Sequence, residues 1–356
     1  MEISKENVEK MVFRPPSNPG PCRWIIETGR QDTQPRNTRQ VTQSWNPQAG
    51  VYRQYEGDDS GTSESKEKEK VKWKENRTSD TRSNEKRAEN TKDSKDLKEE
   101  KGKQRKETIA LEWVKTKVGS LIPYVFLSAP ARKNVHNQTI IFSHGNASNL
   151  GTIFSFLVYL RERLNVNVVG YDYSGYGKSV CTFPPSERSV YADIEAIMKE
   201  MRARNIRYQD MILFGFSLGS APTLHAATQY PVAGVVLEGA FLSCLDVALP
   251  QCSIPPHLAR VNVFVNKEMI PHVACPIFIM HGVEDEVVDV VHGYVLESLT
   301  QTVTWTYYAS ATHNDVLLSD PSTYVSKLLS FLAHVALASC IAVPAVSAQK
   351  NWCHSY

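Results

Sequence analysis

The chain lacks the features that mark a secreted, metal-binding or nucleic-acid-binding protein. Its seven cysteines are odd in number and scattered, and none forms a C-x-x-C pair, which argues against a disulfide framework or a structural zinc site. The N-terminus has no apolar secretory run, and no H-x-x-x-H pair occurs. The formal net charge is only +2, so nothing in it points to nucleic acid. We therefore expect a cytoplasmic chain with free thiols and neither metal nor cofactor.

Charged residues are concentrated in one stretch, residues 58–108, where Lys, Glu, Arg, Asp, Ser, Thr and Asn dominate. Such a stretch buries too little apolar surface to offset the entropy of ordering it. We predict a disordered or loosely helical insertion, which is either a solvated surface loop or a docking arm for a membrane or protein partner. It separates an N-terminal segment, 1–57, that contributes early strands of the core from a main domain, 109–336, and a C-terminal tail, 337–356.

Apolar runs of strand length alternate with amphipathic helical patterns beyond the insertion. The predicted strands are Ile109–Val114, Leu121–Leu127, Thr139–Ser143, Val166–Tyr171, Met211–Phe214, Val232–Leu237, Pro276–Met280 and Thr302–Tyr307. The predicted helices are one capped by Asn149, then 186–204, 218–229, 290–299 and 321–334. This alternation predicts an α/β fold: a mostly parallel eight-stranded sheet with helices on both faces. The apolar stretch Leu328–Val346 approaches the length of a membrane span, but its first half fits a last amphipathic helix better.

A G-x-S-x-G motif occupies residues 215–219, between a predicted strand and a predicted helix. In this context the motif sets a serine on a sharp, strained turn above the sheet, with small neighbours that let the helix approach the strand. The start of that helix also directs its amide dipoles at a developing negative charge. The motif predicts Ser217 as a nucleophile; a glycine-rich turn with a passive serine is the alternative.

Two further polar groups follow the last two predicted strands. Asp285 is placed to orient a histidine, and His313 is placed to take a proton from Ser217 and return it to a leaving group. The chain order Ser, Asp, His is the order that this strand–turn–helix arrangement uses in α/β-hydrolases. Three acidic residues close to Asp285 compete with it for the orienting role, although each by itself is typical of a surface charge: Glu284, Glu286 and Asp289.

The loop after the strand Thr139–Ser143 is predicted to complete the site. The backbone N–H groups of Asn146 and Leu218 are the expected donors of an oxyanion hole. We interpret His144 as a structural loop residue rather than a second base. The glycine-rich run 171–179 does not fit a phosphate-binding loop, and within it Asp172 is expected to tie the loop by hydrogen bonds.

Several blocks of sequence resemble the α/β-hydrolase-domain-containing 17 family of protein depalmitoylases. They are S-H-G-N-A, Y-D-Y-S-G-Y-G, Y-A-D-I, G-F-S-L-G-S-A-P-T, H-G-V-E-D-E-V-V-D and H-N-D, over about 130 to 335, with F-R-P-P as a fainter match near the N-terminus. Ser217, Asp285 and His313 match the family's triad one by one. The chain departs from the family at Thr312, where the family has glycine, in the charged insertion, and at the start, where the family has a lipidated cysteine cluster.

The resemblance implies hydrolysis of the thioester between palmitate and a protein cysteine, at the cytoplasmic face of a membrane. The expected partners are therefore an S-acylated protein or a lipid ester and, peripherally, a membrane. Residues 240–276 leave room only for a short cap, so a bulky acylated protein can reach the nucleophile. Two alternatives stay open: a lipid esterase or monoacylglycerol-type lipase with the same triad, and a non-catalytic scaffold that acts through the charged insertion.

Overall fold

An eight-stranded β-sheet lies at the centre of the molecule. The computed structural model describes residues 4–16, 23–28, 43–46, 51–54, 105–130, 138–249 and 254–341. Within these ranges the strands are β1 (Arg23–Thr28), β2 (Gln43–Asn46), β3 (Val51–Gln54), β4 (Arg105–Ala110), β5 (Glu112–Lys115), β6 (Leu121–Leu127), β7 (Thr139–Ser143), β8 (Asn167–Tyr171), β9 (Met211–Phe216), β10 (Gly234–Glu238), β11 (Ile277–Gly282) and β12 (Thr304–Ala309). The helices are α1 (Lys5–Val12), α2 (Leu150–Leu164), α3 (Glu187–Ala203), α4 (Ser220–Gln229), α5 (Cys244–Ala248), α6 (Pro256–Ala259), α7 (Asn266–Met269), α8 (Val291–Leu299), α9 (Val316–Ser319) and α10 (Pro321–Ile341).

The large sheet has the strand order β12-β11-β10-β9-β7-β8-β6-β5. Its pairs are parallel except at one end, where β6 runs antiparallel to both β5 and β8. Each strand from β5 to β12 overlaps one of the eight predicted runs. The predicted fold, a mostly parallel eight-stranded sheet with helices, is therefore confirmed.

The sheet is buried because helices cover both of its faces. β7, β10 and β11 are buried along their whole length, so both faces of each strand are apolar and the sequence shows continuous apolar runs there. One apolar cluster joins the sheet to α3 and α4, and a second joins the opposite face to α2 and α10.

The order in which strands are added to the sheet reverses at β7, which lies between β8 and β9. The chain leaves β7 toward β8 on one side and later returns to form β9 on the other. A crevice opens at such a reversal, beyond the carboxyl ends of the two strands. Ser143 at the end of β7 pairs with Gly215 near the end of β9, so the Asn146 loop and the G-x-S-x-G turn meet there.

The ends of the chain differ from the prediction in three respects. β1 does not join the large sheet but pairs with β4 in a separate two-stranded sheet, because β5, immediately after β4, takes the edge of the large sheet. β4 begins at Arg105, inside the range 58–108 predicted as the insertion; residues 58–104 lie outside the described residues. α10 continues to Ile341, past the predicted domain end at 336, and 342–356 are not described.

None of the helices in the described ranges combines the length and the apolar character that crossing a membrane requires.

Candidate active site

The G-x-S-x-G segment forms a tight turn between β9 and α4. Ser217 has φ = 50°, the left-handed region that non-glycine residues rarely occupy. A Cβ on Gly219 would lie 1.9 Å from the Ser143 carbonyl oxygen, and one on Gly215 would lie 2.4 Å from the Gly219 carbonyl oxygen. Only glycine therefore permits this turn. A 3₁₀ turn, Ser217–Gly219, precedes α4, so the α-helix begins at Ser220 rather than at the predicted Leu218.

The structure brings Ser217, His313 and Asp285 together in one hydrogen-bonded chain. His313 Nε2 lies 3.0 Å from Ser217 Oγ, and His313 Nδ1 lies 2.6 Å from Asp285 Oδ2. The three residues follow β9, β12 and β11, whose carboxyl ends meet at one edge of the sheet. His313 and Asp285 are buried, whereas Ser217 is partly exposed. The arrangement leaves the serine hydroxyl accessible and keeps the imidazole fixed.

Asp285 is held by four groups. Its Oδ1 accepts the backbone N–H groups of Val287 and Val288, at 2.9 and 2.7 Å. Its Oδ2 faces His313 and also His281 Nε2, at 3.1 Å. Burial raises the pKa of Asp285, but the hydrogen bonds from the two imidazoles and the Val288 amide outweigh burial and hold the pKa below its ordinary value of 3.8. The carboxylate therefore stays ionised at neutral pH.

The three competing acids lie on the same loop but point to solvent. Glu284, Glu286 and Asp289 are exposed, and Asp289 accepts the Val291 N–H at the start of α8. Of these four acids the loop turns only Asp285 inward, because the two amides bonded to its Oδ1 close the turn around it. Asp285 is thus the acid in contact with His313.

The predicted oxyanion residues border the serine on two sides. Leu218 follows Ser217 directly, and the Asn146 loop follows β7, whose last residue pairs with Gly215. His144 in this loop is fully buried, and burial lowers its pKa to about 4, so its imidazole accepts a proton poorly and is a weak candidate for a second base. Asp172 accepts the Leu150 N–H at 2.7 Å and ties the β8 loop to α2, as predicted.

Two sets of contacts that hold the turns of Ser217 and His313 are not predictable from the sequence. Ser220 Oγ donates to the Ser217 carbonyl at 2.7 Å, and the buried Asn266 of α7 donates through Nδ2 to Ser220 Oγ at 2.9 Å. Asp315 Oδ1 accepts both the backbone N–H and the hydroxyl of Thr312, which fixes the turn that carries His313. The hydroxyl of Thr312 thus supplies a hydrogen bond that the family's glycine cannot make.

Replacing Asn266 by alanine is expected to loosen the strained turn at Ser217. The change removes the buried donor to Ser220 Oγ and to the Phe241 carbonyl, which costs about 1–3 kcal/mol of unfolding free energy. A displaced serine should also lower kcat for p-nitrophenyl butyrate about tenfold. The control is Lys267→Ala, which removes a neighbouring ion pair to Asp246. Equal rates for the two variants would contradict this prediction.

Glu238 is a buried carboxyl at the end of β10, at the same edge of the sheet as the site. The Tyr324 hydroxyl donates to its Oε2 at 2.7 Å. Burial raises the pKa of Glu238 from 4.5 to about 7, against the lowering effects of the Tyr324 hydrogen bond and the His313 and His281 imidazoles. The carboxyl is therefore largely protonated below neutral pH in the folded protein.

This carboxyl makes the stability of the protein depend on pH. Between pH 4.5 and 7 the folded state holds a proton that the unfolded state has lost, so the free energy of unfolding falls as pH rises through this window. Glu238→Gln removes this dependence. As the pH rises from 4.5 to 8, its free energy of unfolding should therefore rise relative to that of wild type by up to about 3 kcal/mol. Urea unfolding at both pH values measures it, with exposed Glu268→Gln as control. A difference from wild type that is equal at both pH values would refute the prediction.

Known proteins are similar to this chain in sequence and in fold. The family model for serine aminopeptidase, S33, matches residues 134–267. Alpha/beta hydrolase domain-containing protein 17C of Xenopus tropicalis is 38% identical over 198 residues, which are 55% of this chain and 62% of the relative. Protein 17B of Homo sapiens is 35% identical over 230 residues, which are 64% of this chain and 76% of that protein.

Solved structures agree on the fold. A Pyrococcus furiosus esterase, in two crystal forms, superposes with TM-scores of 0.51 and 0.52, at 15% and 16% identity. The superposition covers 64% of this chain in both forms and 90% and 92% of the esterase. This likeness is one of fold, whereas the 17B protein is also similar in sequence over 76% of its own length. The chain belongs to the alpha/beta hydrolase domain-containing protein 17 family.

Proposed function

We propose that the chain is a serine hydrolase with Ser217 as nucleophile, His313 as base and Asp285 as the acid that orients the base. The observation that carries this proposal is the continuous hydrogen-bonded path from Ser217 Oγ through both nitrogens of His313 to Asp285. A passive serine has no need of a left-handed backbone or of a buried imidazole at hydrogen-bond distance. Membership of a hydrolase family supports the same reading.

The geometry suggests each step of the reaction. His313 Nε2 takes the hydroxyl proton while Ser217 Oγ bonds to the acyl carbon, and the carbonyl electron pair moves to oxygen. The N–H groups of Leu218 and Asn146 stabilise that oxyanion. The thiol or alcohol leaves with the proton from His313. Water, deprotonated by the same imidazole, then releases the acid and restores Ser217. Ionised Asp285 holds the proton on Nδ1 throughout.

The substrate that we propose is an acyl thioester on a protein cysteine, with palmitate as the acyl group. The resemblance to depalmitoylases supports this choice, and so does the short cap. In the described part of the segment between β10 and β11, the α-helices α5, α6 and α7 have only four or five residues each. Such a cap leaves the partly exposed Ser217 open to a bulky acylated protein.

The proposed setting is the cytoplasmic face of a membrane, where S-acylated proteins are found. Cys181, Cys244 and Cys275 are free thiols, in keeping with a reducing compartment. Burial raises the pKa of Cys244 and Cys275 above the ordinary thiol value, so both stay protonated and unreactive. The membrane association is an inference from the substrate class.

Labelling with a fluorophosphonate tests the proposed nucleophile. Wild-type protein is expected to be labelled on Ser217, and Ser217→Ala is expected to lose the label. Ser330→Ala, an exposed serine on α10, serves as the matched control and should be labelled like wild type. A folded wild-type sample that takes no label would overturn the assignment.

A substrate panel tests the proposed acyl thioester. An S-palmitoylated peptide, its O-palmitoyl serine analogue and a monoacylglycerol are compared by release of free palmitate. The expected order places the thioester first. Preferred cleavage of the monoacylglycerol would favour the lipase hypothesis over the thioesterase hypothesis. The assignment of the triad would be unaffected.

A further inference from the structure

The F-R-P-P motif, residues 13–16, lies against the Asn146 loop. Asn146 Nδ2 donates to the Val12 carbonyl at 2.5 Å, and Asn146 Oδ1 accepts the Arg14 N–H at 2.9 Å. Pro15 restricts the preceding Arg14 to an extended backbone, which suits this two-point contact. The backbone of Val12 and Arg14 therefore binds both ends of one amide side chain.

The Asn146 side chain has several partners at once. Besides the Arg14 N–H, its Oδ1 accepts the Tyr176 hydroxyl at 2.8 Å and the Ala147 N–H at 3.0 Å. Tyr176 comes from the glycine-rich loop after β8, so a single amide joins three segments of the chain. The backbone N–H that we propose for the oxyanion hole belongs to this same residue.

Hydrophobic and ionic contacts anchor the N-terminal segment on both sides of this amide. Phe13 is buried, and its ring packs edge-on against Tyr176 and against Phe264 of the cap, with centroid distances of 6.3 and 5.7 Å. Glu9 Oε1 accepts the Glu187 N–H at 3.0 Å, and Lys5 pairs with the Glu187 side chain. The segment 4–16 is therefore attached independently of Asn146.

The Asn146 loop needs such support. Ala147 has φ = 55°, a conformation that costs a residue with a side chain about 1–2 kcal/mol and persists only where its surroundings enforce it. A Cβ on Gly145 would lie 2.8 Å from Phe216, so the loop is pressed against the residue before Ser217. Relaxation at Ala147 would rotate the Asn146–Ala147 peptide and shift the backbone of Asn146 next to it.

We propose that residues 12–14 act as a clamp on the oxyanion loop, with Asn146 and Phe13 as positioning residues. The clamp fixes the backbone of Asn146 so that its N–H, in the Gly145–Asn146 peptide, faces the position of the developing oxyanion. The N-terminal segment is thereby a working part of the hydrolase site. This inference rests on the proposed function, because it specifies how the oxyanion donor of that site is held.

Full-length variants test the clamp with p-nitrophenyl butyrate as substrate. Asn146→Ala keeps the backbone N–H but loses the clamp, and kcat should fall about 10- to 100-fold with KM changed less than about threefold. Phe13→Ala should lower kcat about 3- to 10-fold, and the double variant should match Asn146→Ala, since both act on one element. Lys10→Ala, on the exposed face of α1, is the control and should keep the wild-type rate.

A transition-state analogue separates positioning from general damage. Ser217 Oγ adds to a trifluoromethyl ketone, its proton passes to His313, and the ketone oxygen becomes an oxyanion in the hole. The affinity for this ketone should fall by the same factor as kcat/KM, while the affinity for octanoate stays unchanged. Where Phe13→Ala fails to fold, Phe13→Leu keeps the apolar anchor and should show the same effect at smaller size.

The outcomes distinguish the clamp from the proposed function. Wild-type protein that neither reacts with a fluorophosphonate nor cleaves the ester would overturn the hydrolase assignment itself. Active wild type with folded Asn146→Ala and Phe13 variants at the wild-type kcat would overturn only the clamp. Equal losses of ketone and octanoate affinity would also overturn it, since they would indicate a damaged pocket rather than a displaced donor.

Discussion

Ser217→Ala is expected to lower kcat for ester and thioester hydrolysis by at least about 10⁴-fold. Ser217 Oγ is the hydroxyl in contact with His313 Nε2, at 3.0 Å, and alanine offers no atom that can bond to the acyl carbon. Any remaining rate would come from water in the space left by the hydroxyl, with the oxyanion donors still in place. Steady-state hydrolysis of p-nitrophenyl butyrate measures the loss, and Ser330→Ala is the control.

A second variant shows whether Ser217 and His313 act as one unit. In Ser217→Ala combined with His313→Ala, kcat should be close to that of Ser217→Ala alone, because an imidazole without its serine has no proton to accept. A loss of kcat in the double variant equal to the product of the two single losses would instead indicate independent roles. A residual kcat above one hundredth of wild type in purified Ser217→Ala would remove Ser217 from the mechanism.

Asp285→Asn should lower kcat about 10⁴-fold without unfolding the loop. The Oδ1 position faces two backbone N–H donors, from Val287 and Val288, so the amide oxygen of asparagine must lie there. Its NH₂ group then faces His313 Nδ1 and donates to it. The imidazole is driven into the tautomer with hydrogen on Nε2, which cannot take the Ser217 proton. The measurement is kcat for p-nitrophenyl butyrate at pH 7.5.

Glu286→Gln is the matched control for Asp285→Asn, since it makes the same chemical change at an exposed position of the same loop. Its kcat should equal that of wild type. Thermal unfolding of both variants checks that the loop is intact. A loss below tenfold in folded Asp285→Asn would mean that this carboxylate does not set the tautomer of His313.

Local sequence signals predict the strands and the central site residues well. Thr139–Ser143 is an uninterrupted apolar run ending in a polar loop, and the structure has a buried strand with the same bounds. Ser217 follows β9 directly, and Asp285 and His313 come three and four residues after the ends of β11 and β12. Because the carboxyl ends of parallel strands meet at one edge, the order of these residues along the chain is enough to bring them together.

Other features depend on contacts between distant parts of the chain, which the sequence does not reveal. Asn266 and Ser220 are separated by 46 positions, and Asn146 and Val12 by 134. An asparagine in a loop usually faces solvent, so neither contact could be inferred from residue type. The separate pairing of β1 with β4 is unpredictable for the same reason, because it joins a segment before the charged stretch to one that begins at its end.

His313 follows β12, which lies at the margin of the large sheet and has a neighbouring strand, β11, on one side only. A marginal strand opens at a lower free energy than the interior strands that carry Ser217 and the Asn146 loop. Hydrolysis should therefore fail on heating before the interior of the sheet melts. The working temperature of the protein would then be set by fraying at β12, and thermostable variants are best sought in the β11–β12 contact.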